Sequence, residues 1–165
     1  MGLGDAALAT KLALLFIFLG FIVHIIGFGA PYWQILGSTD LYHGGLWQIC
    51  ILGHCQDFNT DQLTNIGFDN WFQAVRTFEC FGVIGSIAVI VFVALYICVG
   101  TCSGSKCIAI LNVILCFATG GVILIAIIIY GSKKDGLDWA YGLTTAGGVS
   151  YIIAGIFIII SMRSN

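Results

Sequence analysis

Apolar and polar positions along this chain fall into long blocks. Four apolar runs stand out, and they cover about residues 12–33, 81–100, 108–130 and 139–162. A helix that crosses a bilayer needs about 20 mostly apolar residues, and lipid leaves no backbone group free to hydrogen-bond to water. Continuous runs without alternation do not suit a membrane β-barrel. The pattern predicts four membrane helices, at about residues 10–30, 77–100, 107–130 and 139–162.

The polar intervals between these runs predict the topology. Because the number of helices is even, both termini lie on one side of the membrane, and two loops share the other side, at about residues 31–76 and 131–138. Basic residues give no orientation, since three lie on each side. Aromatic residues gather near the loop-side membrane surface, as is usual at membrane interfaces: Tyr32, Trp33, Trp71, Phe72, Tyr130, Trp139 and Tyr141. We expect one tetraspan domain over residues 1–165.

The composition agrees with an integral membrane protein. Mean hydropathy is +1.04, and only 8% of the residues are charged, against about 25% in soluble domains. The net charge of -2 is too small to indicate a nucleic-acid partner, so the first partner that the sequence implies is the lipid bilayer. No short hydrophobic segment with a cleavage site precedes the first run, which we therefore expect to act as an uncleaved signal anchor.

The long loop contains two cysteines, Cys50 and Cys55, in surroundings that predict a β-hairpin. LYHGGLWQIC favours a strand, and Leu52-Gly53 is a candidate two-residue turn before HCQDF. With that turn Cys50 faces Cys55 closely enough for a disulfide, which would place the loop outside the cell. Leu-Gly is not a favoured turn pair, so a longer hairpin loop stays open. Two free thiols or a metal pair are the alternatives to the disulfide.

Several residues of the long loop form an ordered motif. Trp33 is followed by Gly45-Leu46-Trp47, then by Cys50 and Cys55, and finally by Arg76 just before the second run. This order resembles the extracellular signature of the claudin, peripheral myelin protein, epithelial membrane protein and lens membrane protein superfamily. The resemblance covers the whole chain in its topology. It implies an all-α membrane four-helix bundle with a small extracellular antiparallel β-sheet.

The resemblance also implies roles for the signature residues. Trp33 and Trp47 would pack at the membrane surface, the Cys50–Cys55 disulfide would join neighbouring strands, and Arg76 would tie the sheet to the second helix. Gly45 and the glycine before it suit close backbone approach where the strands meet the helices.

Function follows from the same resemblance. The expected function is that of a cell-junction protein that forms or modulates an adhesive paracellular barrier, with claudin-like partners in the same and in apposed membranes. Such a protein lies in the plasma membrane with cytoplasmic termini. The cysteines are closer than is usual in the family, no N-x-S/T sequon occurs, and the terminal SMRSN offers no motif for a PDZ scaffold. The missing scaffold motif and the eight-residue second loop favour the alternative, a non-junctional membrane organiser or an auxiliary channel subunit of the myelin-protein type.

Acidic residues and further cysteines give two additional hypotheses. Carboxylates in the long loop could select cations in a narrow gap between molecules, or simply be solvated: Asp40, Asp57, Asp61 and Asp69. Cysteines near the other membrane boundary are candidates for reversible palmitoylation, with free buried thiols as the alternative: Cys98, Cys102 and Cys107.

A few polar residues fall inside or beside the membrane runs. We expect His24 to be neutral and bonded to a neighbouring helix, and Glu79 to form a surface ion pair with Arg76, with a channel-lining acid as the alternative. Asn112 is expected to bond between helices. Small residues in the third and fourth runs favour close helix packing. No catalytic set, metal cluster, cofactor motif or reactive C-x-x-C occurs, so we expect no enzyme.

Overall fold

The computed structural model describes residues 8–36, 41–58, 70–98 and 105–164. Within these ranges lie four long helices and four short strands. In chain order they are α1 (Leu8–Gly29), β1 (Gln34–Ile35), β2 (Tyr42–Gly44), β3 (Gln48–Ile51), β4 (His54–Asp57), α2 (Asn70–Cys98), α3 (Lys106–Gly131) and α4 (Trp139–Ser164). Each helix is long and apolar enough to cross a membrane. The predicted four-helix bundle with a small antiparallel sheet is confirmed.

Helix α2 begins earlier than its apolar run suggests. It starts at Asn70 and not near residue 77. The first two turns carry polar and aromatic residues, which a count of apolar positions excludes. Two side chains in these turns, Phe72 and Val75, are fully buried. Their packing stabilises helical turns beyond the apolar span, because tertiary burial contributes more to helix stability than propensity does.

Close contact between helices depends on small side chains, as the sequence predicts. Helix α4 packs along α1 and α3, and α2 packs along α3. A Cβ atom added at Gly147 would lie 2.8 Å from the Cβ of His24 on α1, so this glycine lets the two backbones approach. Large apolar side chains cover the outside of the bundle, including Ile84, Ile114 and Ile128. An apolar exterior of this kind is suited to lipid.

The strands form one antiparallel sheet in the order β1-β2-β3-β4. Cys50 lies opposite Cys55, and Ile51 lies opposite His54. The turn between β3 and β4 has two residues, both with positive φ: 51° at Leu52 and 82° at Gly53. Positive φ at both central positions is the geometry of a type I′ turn. The shorter of the two predicted hairpins therefore forms, although leucine rarely adopts this conformation.

The loop between α3 and α4 joins the sheet at β1. The backbone N–H of Ile35 donates to the Gly136 carbonyl at 2.9 Å, and that of Asp138 donates to the Trp33 carbonyl at 3.0 Å. A bridge also pairs Gln34 with Leu137. Both loops thus form one structural unit at one end of the bundle, here called the sheet end. The opposite end, where α1 begins and α4 ends, is called the remote end.

Candidate functional site in the sheet

Two tryptophans attach the sheet to the last turn of α1. The indole N–H of Trp33 donates to the Gly27 carbonyl at 2.7 Å, and the indole N–H of Trp47 donates to the Phe28 carbonyl at 3.0 Å. The last four carbonyls of a helix have no partner within the helix. A buried indole also needs an acceptor for its one donor. Each tryptophan therefore satisfies two polar groups at once and fixes the sheet over the helix.

Gly45, directly after β2, closely approaches the backbone that follows α1. A Cβ atom at this position would lie 2.5 Å from the Ala30 carbonyl oxygen and 2.6 Å from the Pro31 Cα. Both neighbours are backbone atoms that cannot turn away. Gly44, in contrast, has room for a Cβ, whose nearest neighbour would be 3.6 Å away. Only the second glycine of the pair is required by this close approach.

Arg76 links α2 to the sheet. Its Nε donates to the Leu46 carbonyl at 2.7 Å, and Leu46 itself is fully buried. The guanidinium carbon lies 4.7 Å from the ring centre of Phe72, 5.2 Å from that of Trp47 and 5.3 Å from that of Phe58. Planar, weakly hydrated guanidinium groups stack well on aromatic faces. The arginine is thus held by one directed hydrogen bond and by three aromatic rings.

The disulfide joins the two strands that lie farthest from β1. The bond connects Cys50, which is buried, to Cys55, which is exposed in β4. Among the described strands β4 forms an edge of the sheet, with all four of its residues exposed. A two-stranded ribbon of this length is marginally stable by itself. The covalent link therefore holds the edge strand in register against β3.

Three exposed apolar residues lie at the end of the β2–β3 pair opposite the connection that is attached to α1. They are Leu41, Ile51 and Leu52, which are 55%, 45% and 59% exposed. The backbone N–H of Leu52 donates to the Leu41 carbonyl at 2.9 Å, which brings the hairpin turn beside the start of β2. We call these three residues the apolar tip. Sequence reasoning missed them, because a single leucine and an Ile-Leu pair ten residues later form no pattern until the strands are paired.

Only one of the four candidate ion-selecting acids falls within the described residues. Asp57 is exposed at the end of β4, where its Oδ1 accepts a hydrogen bond from Gln48 Nε2 at 2.9 Å. Asp40, Asp61 and Asp69 lie outside the described residues. Asp57 is thus the last residue of the edge strand and is exposed to solvent.

Glu79 is not the surface residue that its sequence neighbours suggest. It is fully buried, and its Oε2 lies 2.9 Å from His24 Nε2 on α1. The predicted ion pair with Arg76 is wrong, because the arginine reaches upward to the Leu46 carbonyl while the carboxyl group faces α1. The expected bond from His24 to a neighbouring helix is present.

Ser86 is a second polar neighbour of the His24 ring. Its Oγ donates to the Gly82 carbonyl at 2.7 Å and lies 3.4 Å from His24 Nδ1. Both ring nitrogens of His24 therefore have a polar neighbour on α2.

The geometry above agrees with an independent comparison of the sequence. The model of the PMP-22/EMP/MP20/Claudin family matches residues 7–164. The chain belongs to this family. No individual curated protein matches the chain. Membership establishes a claudin-like multi-pass membrane protein with a disulfide, in a family that is not enzymatic.

In this family member the signature residues meet in one place. Trp33, Leu46, Trp47 and Arg76 surround the contact between the sheet and the helix ends, and the disulfide lies farther along the same sheet. Sequence order alone could not reveal that the acceptors are backbone carbonyls of α1 and of the connection between β2 and β3, because every residue carries a backbone carbonyl. The signature is therefore a set of attachments and leaves the apolar tip exposed.

The remaining predicted residues lie away from this site. Cys98 and Cys107 are free and exposed at the remote end, and Cys102 lies outside the described residues. Asn112 is buried in α3, but its Oδ1 has no hydrogen-bond partner, so the predicted bond between helices does not involve this atom. Within the described residues no three His, Cys, Asp or Glu side chains come together as a metal site.

Proposed function

We propose that this family member is a cell-junction protein of the plasma membrane whose sheet is extracellular and whose termini are cytoplasmic. It adheres to claudin-like molecules, its own copies included, and forms or modulates a paracellular barrier. The observation that carries the proposal is the apolar tip of Leu41, Ile51 and Leu52. Exposed apolar side chains gathered at one end of a sheet, away from the lipid-facing helices, favour a protein-protein contact.

The attachment of the sheet supports this role. An adhesive contact gains more free energy when the surface is ordered before binding, because less conformational entropy is lost. Trp33, Trp47 and Arg76 hold one end of the sheet, and the disulfide holds its edge strand. The tip is thereby presented on a rigid support. The exposed edge of β4 offers a second surface, suited to lateral pairing with a neighbouring copy in the same membrane.

Ion selectivity is a further part of the proposal. Asp57 is exposed beside the edge strand, and Asp40, Asp61 and Asp69 belong to the same loop. In a narrow gap between assembled copies these carboxylates would attract cations and repel anions. Replacing Asp57 with asparagine is then expected to lower the permeability ratio of sodium to chloride.

The test is to express the protein in cells that lack junctional strands of their own. We expect enrichment at borders where two expressing cells touch, together with altered paracellular conductance in sodium and chloride gradients. Leu52→Asn should reduce the enrichment. Leu137→Asn is the matched control, because Leu137 is also an exposed leucine, at 40%, but lies beside the attached part of the sheet. Uniform membrane distribution without any electrical change would contradict the junctional role.

A second function is favoured by the hairpin. Only two residues separate β3 from β4, which limits the reach of this part of the sheet toward an apposed cell. A short tip of this kind also suits a non-junctional membrane organiser or an auxiliary channel subunit that binds a partner within its own membrane. Uniform distribution, combined with co-purification of a channel subunit that Leu52→Asn releases, would favour this second function.

A further inference from the structure

A cavity lies between the helices at the remote end of the bundle. Its volume is about 60 Å³, and all four helices contribute to its wall. The polar residues among the described lining residues are Thr10 on α1, Tyr96 on α2, Asn112 on α3 and Ser161 on α4, and the other described lining residues are apolar. The cavity therefore combines a hydrocarbon-like wall with a few hydrogen-bonding groups.

One of these groups is unsatisfied. Asn112 is only 3% exposed, and its Oδ1 has no hydrogen-bond partner. Thr10 and Ser161, by comparison, bond to each other through their hydroxyl oxygens at 2.7 Å. A buried carbonyl without a donor is costly, and the cost is greatest where lipid surrounds the protein. The Asn112 oxygen thus calls for a donor that the described protein residues do not provide.

Charge and depth define the chemistry of that donor. Among the described residues, no Asp, Glu, Lys or Arg lines the cavity, so the described wall holds no group that would compensate the charge of a phosphate or an ammonium group. Asn112 follows the start of α3 at Lys106 by six residues, which corresponds to about 9 Å along a helix. Asn112 therefore lies within about two turns of the helix end, a depth that the hydroxyl end of a lipid can reach from the remote end of the bundle.

The volume sets how much of a lipid is enclosed. Pockets that enclose a whole drug-sized ligand measure about 300–1,000 Å³, so about 60 Å³ holds only one end of a lipid. We propose that this cavity binds the hydroxyl end of a neutral membrane lipid, a sterol or a diacylglycerol, which donates a hydrogen bond to Asn112 Oδ1. The hydrocarbon part packs on apolar side chains such as Leu14 and Ile97. This site is independent of the adhesive function proposed above.

The experiment uses the full chain in phosphatidylcholine nanodiscs that contain one photoactivatable lipid at a time. The three probes are a sterol, a diacylglycerol and a phosphatidylcholine, and the labelled residues are mapped by peptide sequencing. We expect a hydroxyl-bearing probe to label the cavity residues, and unlabelled lipid of the same class to compete. Asn112→Leu should lower this labelling by about threefold, the equilibrium change that corresponds to about 0.6 kcal/mol for one hydrogen bond in a membrane protein.

Thr119→Val is the matched control. Thr119 is another buried polar residue of α3, also 3% exposed, and it does not line the cavity. If Asn112→Leu fails to fold, Ala109→Leu provides a second variant, because it fills the cavity and retains Asn112. We expect Ala109→Leu to reduce labelling and Thr119→Val to leave it unchanged.

Each outcome decides the proposal. Labelling by the sterol alone or by the diacylglycerol alone identifies the class, and labelling by both shows that the hydroxyl suffices. Equal labelling by phosphatidylcholine would overturn the proposal, as would labelling that both cavity variants leave unchanged. Labelling confined to lipid-facing residues such as Ile114 would also overturn it, and would leave water as the occupant.

Discussion

The substitution Leu52→Asn separates the stability of the hairpin from the adhesive contact proposed for it. Leu52 has a φ of 51° in the turn between β3 and β4. The left-handed conformation costs an ordinary L-residue roughly 1–2 kcal/mol, and asparagine tolerates it better than most residues. The change should therefore raise the free energy of unfolding by about 0.5–1 kcal/mol. Its effect on adhesion has the opposite sign.

The loss of adhesion follows from the apolar area of the same side chain. Full burial of a leucine contributes about 1.5–3 kcal/mol, and 59% of Leu52 is exposed and available to a partner. Losing about 1–2 kcal/mol would weaken each contact by about 5- to 30-fold. We expect contact-site enrichment to fall while denaturant unfolding in detergent micelles shows an unchanged or higher stability. A folding defect cannot produce that combination.

Two companion variants test the reasoning. Leu52→Gly also relieves the backbone and removes the side chain, so it should reproduce the loss of enrichment. Leu137→Asn removes a comparable exposed leucine outside the tip and should leave the contact-site enrichment unchanged. If Leu52→Asn stabilises the protein and contact enrichment does not change, the apolar tip is not the adhesive surface. If stability falls, the account of the turn is wrong.

Three further predictions concern the supports of the sheet and the bundle, each measured by unfolding in micelles. Arg76→Lys keeps the charge but loses the stacking on three rings and the geometry of the bond to Leu46, and should cost about 1 kcal/mol. His24→Leu leaves the Glu79 carboxyl buried without its partner and should lower the free energy of unfolding by about 3–5 kcal/mol. Replacing both His24 and Glu79 with leucine should restore most of that stability. An equal loss of stability in the single and the double variant would contradict the pairing. Gly147→Leu should cost at least about 1–3 kcal/mol by forcing α4 away from His24, while substitution of Gly142, which has open space, should cost little.

Local signals explain which parts of the fold the sequence predicts. Membrane helices can be predicted from runs of apolar residues, because the length and the apolar character that a bilayer requires are both visible within each run. The register of Cys50 opposite Cys55 follows from a turn of two residues between two strands. In both cases the information lies within a few tens of residues. The start of α2 at Asn70 was missed because helical turns outside the apolar run depend on burial against other elements.

Long-range partners are the part that the sequence does not reveal. Glu79 has Arg76 three residues before it, and the local rule for helix pairs predicts a bond between them. In the fold, Glu79 bonds to His24, which is 55 residues away in sequence. Which residues of α2 face α1 depends on how the whole bundle packs. An apolar run does not reveal how its helix is rotated about its own axis. The local pair was a reasonable expectation that tertiary structure overrode.

The two ends of the sheet differ in what their side chains contact. Indole and guanidinium groups at one end donate hydrogen bonds to carbonyls of α1 and of the β2–β3 connection. These carbonyls need donors whatever the protein binds. A family signature built from such groups therefore indicates fold and leaves specificity undetermined. Specificity for a partner would then belong to the apolar tip, where the side chains of Leu41, Ile51 and Leu52 stay largely exposed in the described fold. Exchanging the tip between two family members should accordingly exchange partner choice without altering the bundle.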